Sequence, residues 1–236
     1  MNPDSILLGV TWYVVFLLST TCHEAAHALA AKLGGDLTAF LGGQVSLDPI
    51  PHIRREPFGM VVFPILTYVL GGWMMGWASA PYDPHWAEEH PRRAAWMSLA
   101  GPAANLSIMI LAGLLIHVGI WTGFLSHPDS IDFTQIVTAR QPGAAEGVAT
   151  FLSVAFSLNL LLGIFNLLPV PPLDGFGAVG LFLTDNGARR FQQLGSQIRT
   201  FSMIGLMLAW RVFNPLFDPV FSLALKALYP TYHYGP

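Results

Sequence analysis

Residues 6–31 read ILLGVTWYVVFLLSTTCHEAAHALAA, an apolar run that carries two histidines and a glutamate near its end. About 20 apolar residues in a helix suffice to cross a hydrocarbon core of roughly 30 Å, so this stretch is long enough to span. Within it, His23-Glu24-Ala25-Ala26-His27 is an H-E-x-x-H motif. Helical residues four apart share one face, one turn apart, so both imidazoles can bind a single Zn²⁺. Glu24 lies next to His23, within reach of a metal-activated water as its general base. Ala25, Ala26 and Ala28 are small and leave room for metal and substrate. Ionisable residues inside a membrane helix are costly, and a functional site is the default reason for keeping them.

The rest of the chain agrees with a bilayer as solvent. Of 236 residues, 53% are hydrophobic and 11% charged, and the mean hydropathy is +0.52. A soluble domain carries about 25% charged residues. The net charge of −3 leaves no basic excess for a phosphate backbone, which excludes nucleic acid as the expected partner. Cys22 is the single cysteine, so no internal disulfide forms. No Lys or Arg precedes Lys32, so the first stretch lacks the basic head of a signal peptide and reads as a retained helix.

Further apolar stretches follow at 59–79, about 95–121 and 148–169, each long enough to cross. A fifth, within 201–229, is broken by Arg211, Asn214 and Pro215 and fits a kinked span, a hairpin or an interfacial helix. Segment 59–79 also fits a re-entrant segment. Segment 122–147 reads as a loop with a short helix. Trp73, Trp77, Trp86, Trp96, Trp121 and Trp210 lie near stretch ends, as in an interfacial aromatic belt. Gln44-Val45-Ser46-Leu47 alternates polar and apolar between Gly42-Gly43 and Asp48-Pro49, which predicts a short strand. The expected architecture is an α-helical multi-spanning membrane protein with a small membrane-associated β-strand region. It forms one domain over 1–236, with a core at about 6–185 and a C-terminal helical segment at about 197–229. With four early crossings, Lys32, Arg54, Arg55 and Arg140 fall on one side. Arg92, Arg93, Arg189, Arg190 and Arg199 fall on the other, a balance that sets no orientation.

A catalytic zinc takes three protein ligands and keeps one position open. The best third ligand is Asp174, in FNLLPVPPLDG at 165–175. Three prolines in four positions end any helix. Unwound backbone at membrane depth is tolerated only where it is buried in protein or faces water. The break therefore places a carboxylate beside a polar cavity.

H-E-x-x-H in an early membrane helix, followed by N-x-x-P-x-x-P-L-D-G, resembles the site-2 protease family of intramembrane zinc metalloproteases. Ala100-Gly101-Pro102-Ala103-Ala104-Asn105 resembles the family's A-G-P-x-x-N helix start. Val45-Ser46-Leu47-Asp48-Pro49-Ile50-Pro51-His52 resembles its S-L-N-P-x-x-H segment, with Asp48 where Asn is commoner, and Gly76-Trp77-Ala78 its G-W-A. The resemblance covers about residues 15–185 and implies a compact, core-only member, without PDZ or CBS modules, in a prokaryotic cell membrane. It implies one zinc ion on His23, His27 and Asp174, Glu24 as the base, and a transmembrane protein substrate within the lipid bilayer. It also implies that Asn166 positions substrate or stabilises the oxyanion; a helix-end cap is the alternative role for that amide. A substrate helix must unwind before hydrolysis, and an edge strand at 43–48 is the expected place to hold it. His52 has an interfacial structural role as its alternative, and His85, His90, His127 and His233 read as solvated loop residues. A metal transporter and a non-catalytic membrane scaffold are the competing functions. The first needs further ligands along a path, and the second has no use for Glu24.

Overall fold

A computed structural model describes residues 2–197 and 202–230; Arg199 and His233 lie outside them. The chain begins with α1, Pro3–Gly34. Asn2 caps it by accepting from the Ser5 amide at 2.8 Å, and Pro3 suits the first helical position, where no N–H is needed. It ends at Gly35 in the left-handed region (φ 102°), where the Asp36 amide closes back on the Ala31 carbonyl at 2.9 Å. Two short helices follow, α2 (Thr38–Leu41) and α3 (Pro49–Arg55).

The strand expected at Gln44–Leu47 does not form; the backbone there makes bends. Side chains take the place of a ladder. The Asp48 carboxylate caps α3 through the Ile50 amide at 2.9 Å, and the His52 ring pairs with the Ser46 carbonyl at 3.0 Å. Four alternating residues were too weak a signal against Asp48-Pro49, which is a helix start. The sheet of the protein lies elsewhere, in a two-residue pairing of β1 (Leu125–Ser126) with β2 (Thr138–Ala139). It fills the 122–147 connection, where the expected short helix is absent.

Stretch 59–79 is a re-entrant hairpin. A π-helical turn at Phe58–Val62 runs into α4, Phe63–Gly71, which stops at Gly72 (φ 68°). These 14 residues rise about 21 Å, short of a bilayer core. At the turn the Tyr68 hydroxyl donates to the Ser5 carbonyl at 2.7 Å, and Trp73 lies on Trp12. The chain then returns: the Asp83 amide reaches the Asp36 carboxylate at 2.9 Å. Trp12 to Gly34 is roughly 33 Å of helix, close to the most that the ten residues after Trp73 can cover, so that limb is drawn out. Gly76 makes the packing possible, because a Cβ there would overlap the Gly59 carbonyl and the Phe16 ring.

α5 (Pro84–Glu89) leads into α6, Pro91–Trp121. The A-G-P-x-x-N segment is therefore mid-helix rather than a helix start, with Pro102 inside it. α7 covers Ala144–Asn166. α1, α6 and α7 are the three described helices long and apolar enough to cross a membrane, and α6 packs between the other two. The chain is thus a multi-pass membrane protein. Trp12, Phe16, Ile116, Val154, Phe156 and Leu158 form its core. After α7 come α8 (Asp174–Ala178), a 3₁₀ turn, α9 (Asp185–Gln197) and α10 (Ser202–Leu228). α10 is one helix through Pro215 and Pro219, and its Phe213, Phe217 and Phe221 stack in a row. Two of the belt tryptophans serve packing instead: Trp86 is buried and donates to the Gly34 carbonyl, and Trp73 packs at a tilt against Phe133.

Candidate metal centre

α1 presents His23 and His27 on one face, toward α6. The two Nε2 atoms lie 3.0 Å apart. The chain turns after α7 through Leu167–Leu173, so Asp174 opens α8 against α6 and reaches both rings. Its Oδ2 lies 3.0 Å from His23 Nε2 and its Oδ1 3.3 Å from His27 Nε2. Two glycines permit this placement. A Cβ on Gly175 would overlap the Leu167 and Leu168 carbonyls, and one on Gly177 would overlap Ser98 of α6.

The opposite ring nitrogens decide what the cluster is for. His27 Nδ1 faces the Met97 carbonyl at 2.7 Å, and His23 Nδ1 faces Asn105 Oδ1 at 2.5 Å. A backbone carbonyl accepts only, so His27 carries its proton on Nδ1. The same tautomer of His23 follows from the Asn105 oxygen. Both Nε2 lone pairs then point at each other and at a carboxylate, an arrangement that calls for a cation between them. One nitrogen from each ring and one carboxylate oxygen all lie within 4.8 Å of one another. Gly101 of α6 closes the cradle: a Cβ there would overlap Nε2 of both histidines. Two imidazoles and a carboxylate are the donor set of a catalytic zinc site, so the residues fit the ion that the motif implied.

Glu24 is buried beside His23. Asn166 ends α7, and its amide donates to the Leu162 carbonyl of the same helix at 3.0 Å, the capping contact weighed above. His52 is buried within α3. Motif reading quoted Asn105 in A-G-P-x-x-N without giving it a role, and missed Asn159 and Ser19; the three support His23 from three helices. Asn105 Nδ2 donates to Asn159 Oδ1 at 2.9 Å, and Asn159 Nδ2 donates to Ser19 Oγ and to the Ala155 carbonyl, both at 2.8 Å. Two asparagines inside apolar spans were the available signal, by the same rule that singled out the histidines.

The chain is 34% identical over 164 residues to the "Putative zinc metalloprotease YwhC" of Bacillus subtilis, covering 69% of this chain and 64% of that protein. It is 31% identical over 164 residues to the "Putative zinc metalloprotease Rip2" of Mycolicibacterium smegmatis, covering 70% and 54%. With the "Putative zinc metalloprotease Rip3" of Mycobacterium tuberculosis it shares 29% over 177 residues, 75% of this chain and 32% of that one. The chain thus spans from 32% to 64% of these relatives' lengths. No solved structure matches it. The family description Peptidase family M50 matches residues 11–209, which take in His23, Glu24, His27, Asn105, Asn159 and Asp174. From the first turns of α1 into α10, with the whole cluster inside the match, the chain belongs to peptidase family M50.

Proposed function

We propose that the protein is a zinc-dependent intramembrane endopeptidase that hydrolyses peptide bonds in transmembrane segments of membrane proteins. The observation that carries the reading is the convergence of two Nε2 lone pairs and the Asp174 carboxylate, on membrane-spanning α1 and beside it, next to a buried glutamate. The names of the relatives support the same metal and the same reaction.

Zinc in this site supplies Lewis acidity to the scissile carbonyl and to the attacking water. Glu24 takes the water's proton on its carboxylate and returns it to the leaving amine nitrogen. His23, His27 and Asp174 hold the ion, and Gly101 keeps the space beside it clear. Asn166 has a second hydrogen on Nδ2 for substrate while the first stays on the Leu162 carbonyl.

The substrate must be unwound, and the returning limb of the re-entrant hairpin is where this reading seats it. The Met75 amide donates to Thr67 Oγ1 at 3.0 Å and the Trp77 amide to the Gly59 carbonyl at 3.1 Å. Successive amides of a drawn-out chain point to opposite edges. The amides of Met74, Gly76, Ala78 and Ala80 have no hydrogen-bond partner among the described residues. Backbone polar groups at membrane depth need partners, and an extended peptide adding along that edge supplies them.

The deciding experiment compares wild type with Glu24→Gln for bound zinc and for cleavage of a transmembrane peptide. Zinc in both and cleavage in wild type alone is the expected result. A chain that binds no zinc, or a Glu24→Gln variant that still cleaves, overturns the proposal. A metal transporter would instead move zinc across sealed vesicles.

A further inference from the structure

The tautomer of His23 is fixed from a helix to which it makes no hydrogen bond among the described residues, and the polarity of each hydrogen bond shows how. The Ala155 carbonyl, on α7, can only accept, so the Asn159 atom 2.8 Å from it is the amide nitrogen. Asn159 therefore turns its oxygen to Asn105, at 2.9 Å, and Asn105 must answer with its own amide nitrogen. That leaves the Asn105 oxygen facing His23 Nδ1, which must carry the proton, so the lone pair sits on Nε2 in the cluster. Asn105 and Asn159 are both 0% exposed, so bulk solvent competes for neither contact. His27 needs no such chain, because the Met97 carbonyl of α6 fixes it directly.

We infer that Asn105 and Asn159 form a directional two-amide relay, with Asn159 acting as a remote positioning residue for the metal ligand His23. The inference rests on the metal-site reading above. The relay starts at the α7 backbone, crosses α6 and ends on α1, so it also makes metal affinity depend on the seating of α7. An uncharged relay suits its surroundings: a carboxylate in the place of Asn105 would bring a third acidic group beside Asp174 and Glu24. Without Asn159, the Asn105 amide nitrogen keeps only a 3.5 Å contact with the Ser19 carbonyl, too long to hold it from turning toward His23. Nδ1 is then offered a donor, and the ring moves its proton toward the cluster.

The test is zinc affinity by chelator competition, with the absorption spectrum of the Co²⁺-loaded protein as a second readout. Both are measured on the monodisperse detergent-solubilised fraction of each variant. Losing the direct partner of a metal-bound histidine costs about 10–100-fold in affinity, the loss expected for Asn105→Leu. Asn159→Leu is expected to lose about three- to tenfold, below that range, and to shift the Co²⁺ bands as Asn105→Leu does. The double variant is expected to be no weaker than Asn105→Leu alone, since residues acting through one another are not additive. Ser19→Ala is expected to bind like wild type, because the Ala155 carbonyl still fixes Asn159. Additive losses, or an Asn159→Leu variant with wild-type affinity and spectrum, overturn the relay while leaving the metal site standing. A wild-type protein that takes up neither metal overturns the site and the relay together.

Discussion

At the scale of single residues, Asp36 is the clearest case of a side chain whose surroundings set its chemistry. Burial works against its ionised form. Hydrogen bonds from the Thr38 hydroxyl and amide and from the Asp83 amide outweigh it and hold the carboxyl below the usual carboxylate range. A depressed folded-state value means the carboxylate stabilises the fold at any pH above its unfolded value of about 3.9. That contribution is lost as the pH falls through the folded value. Asp36→Asn is therefore expected to lower the Tm at neutral pH and to flatten its fall below about pH 4. Parallel Tm curves for the two proteins across that range would refute the assignment. The residues of the metal centre differ in how far they could be read from sequence. His23, Glu24 and His27 declare themselves by spacing within a single helix, and Asp174 by the prolines before it. Asn105 and Asn159 take their meaning from partners on other helices, which no spacing within a segment encodes.

At the scale of elements, the long helices were legible because an apolar run of bilayer length has few other uses. Their ends were less so: α6 starts at Pro91 and passes through Gly101-Pro102, a pair that reads as a break in water but is tolerated in a membrane helix. Stretch 59–79 misled by length alone. Gly71-Gly72 divides it, and the part beyond is not helical. The predicted strand was misplaced for a related reason. Drawn-out backbone does occur in this region, but at 73–83, where aromatic and small residues hide the alternation. If that limb seats the substrate, Ala78→Pro removes one open-edge donor without touching the cluster. The expected result is a kcat/KM on a transmembrane peptide lower by about five- to tenfold, the worth of one backbone hydrogen bond, at unchanged zinc content. Ala78→Gly, which keeps the amide, is the matched control. Equal kcat/KM for the two variants would remove the limb from substrate binding.

At the scale of the whole molecule, the re-entrant hairpin changes the charge balance between the two ends. With α1, α6 and α7 as the crossings, the linkers at the Gly34 end hold Lys32, Arg54, Arg55, Arg92, Arg93, Arg189 and Arg190. The linker at the other end holds Arg140. What looked even with four crossings is strongly one-sided with three. The positive-inside rule then puts the Gly34 end in the cytoplasm and the N-terminus outside. His27 lies seven residues before Gly34, about 10 Å along the helix from the cytoplasmic end. Single cysteines at Ser126 and at Gly187, in a Cys22→Ser background, test this with a membrane-impermeant thiol reagent on intact cells. Labelling at Ser126 alone is expected; labelling at Gly187 alone would invert the topology.

The turn that carries Asp174 back to α1 has one more consequence. Two donors stand near the start of the chain and the third stands roughly 150 residues later, so an ion held by all three closes a very large covalent ring. Closing a ring of that size in the unfolded chain is entropically costly, and a bound ion favours the folded state by at least its own binding free energy. The ion is in this sense a buckle as well as a reagent. Chelation is expected to lower the Tm of Glu24→Gln, which has no activity to lose, and to expose the Leu167–Leu173 turn to added protease. A chelated variant with an unchanged Tm would show that α7 and α10 hold that turn without it.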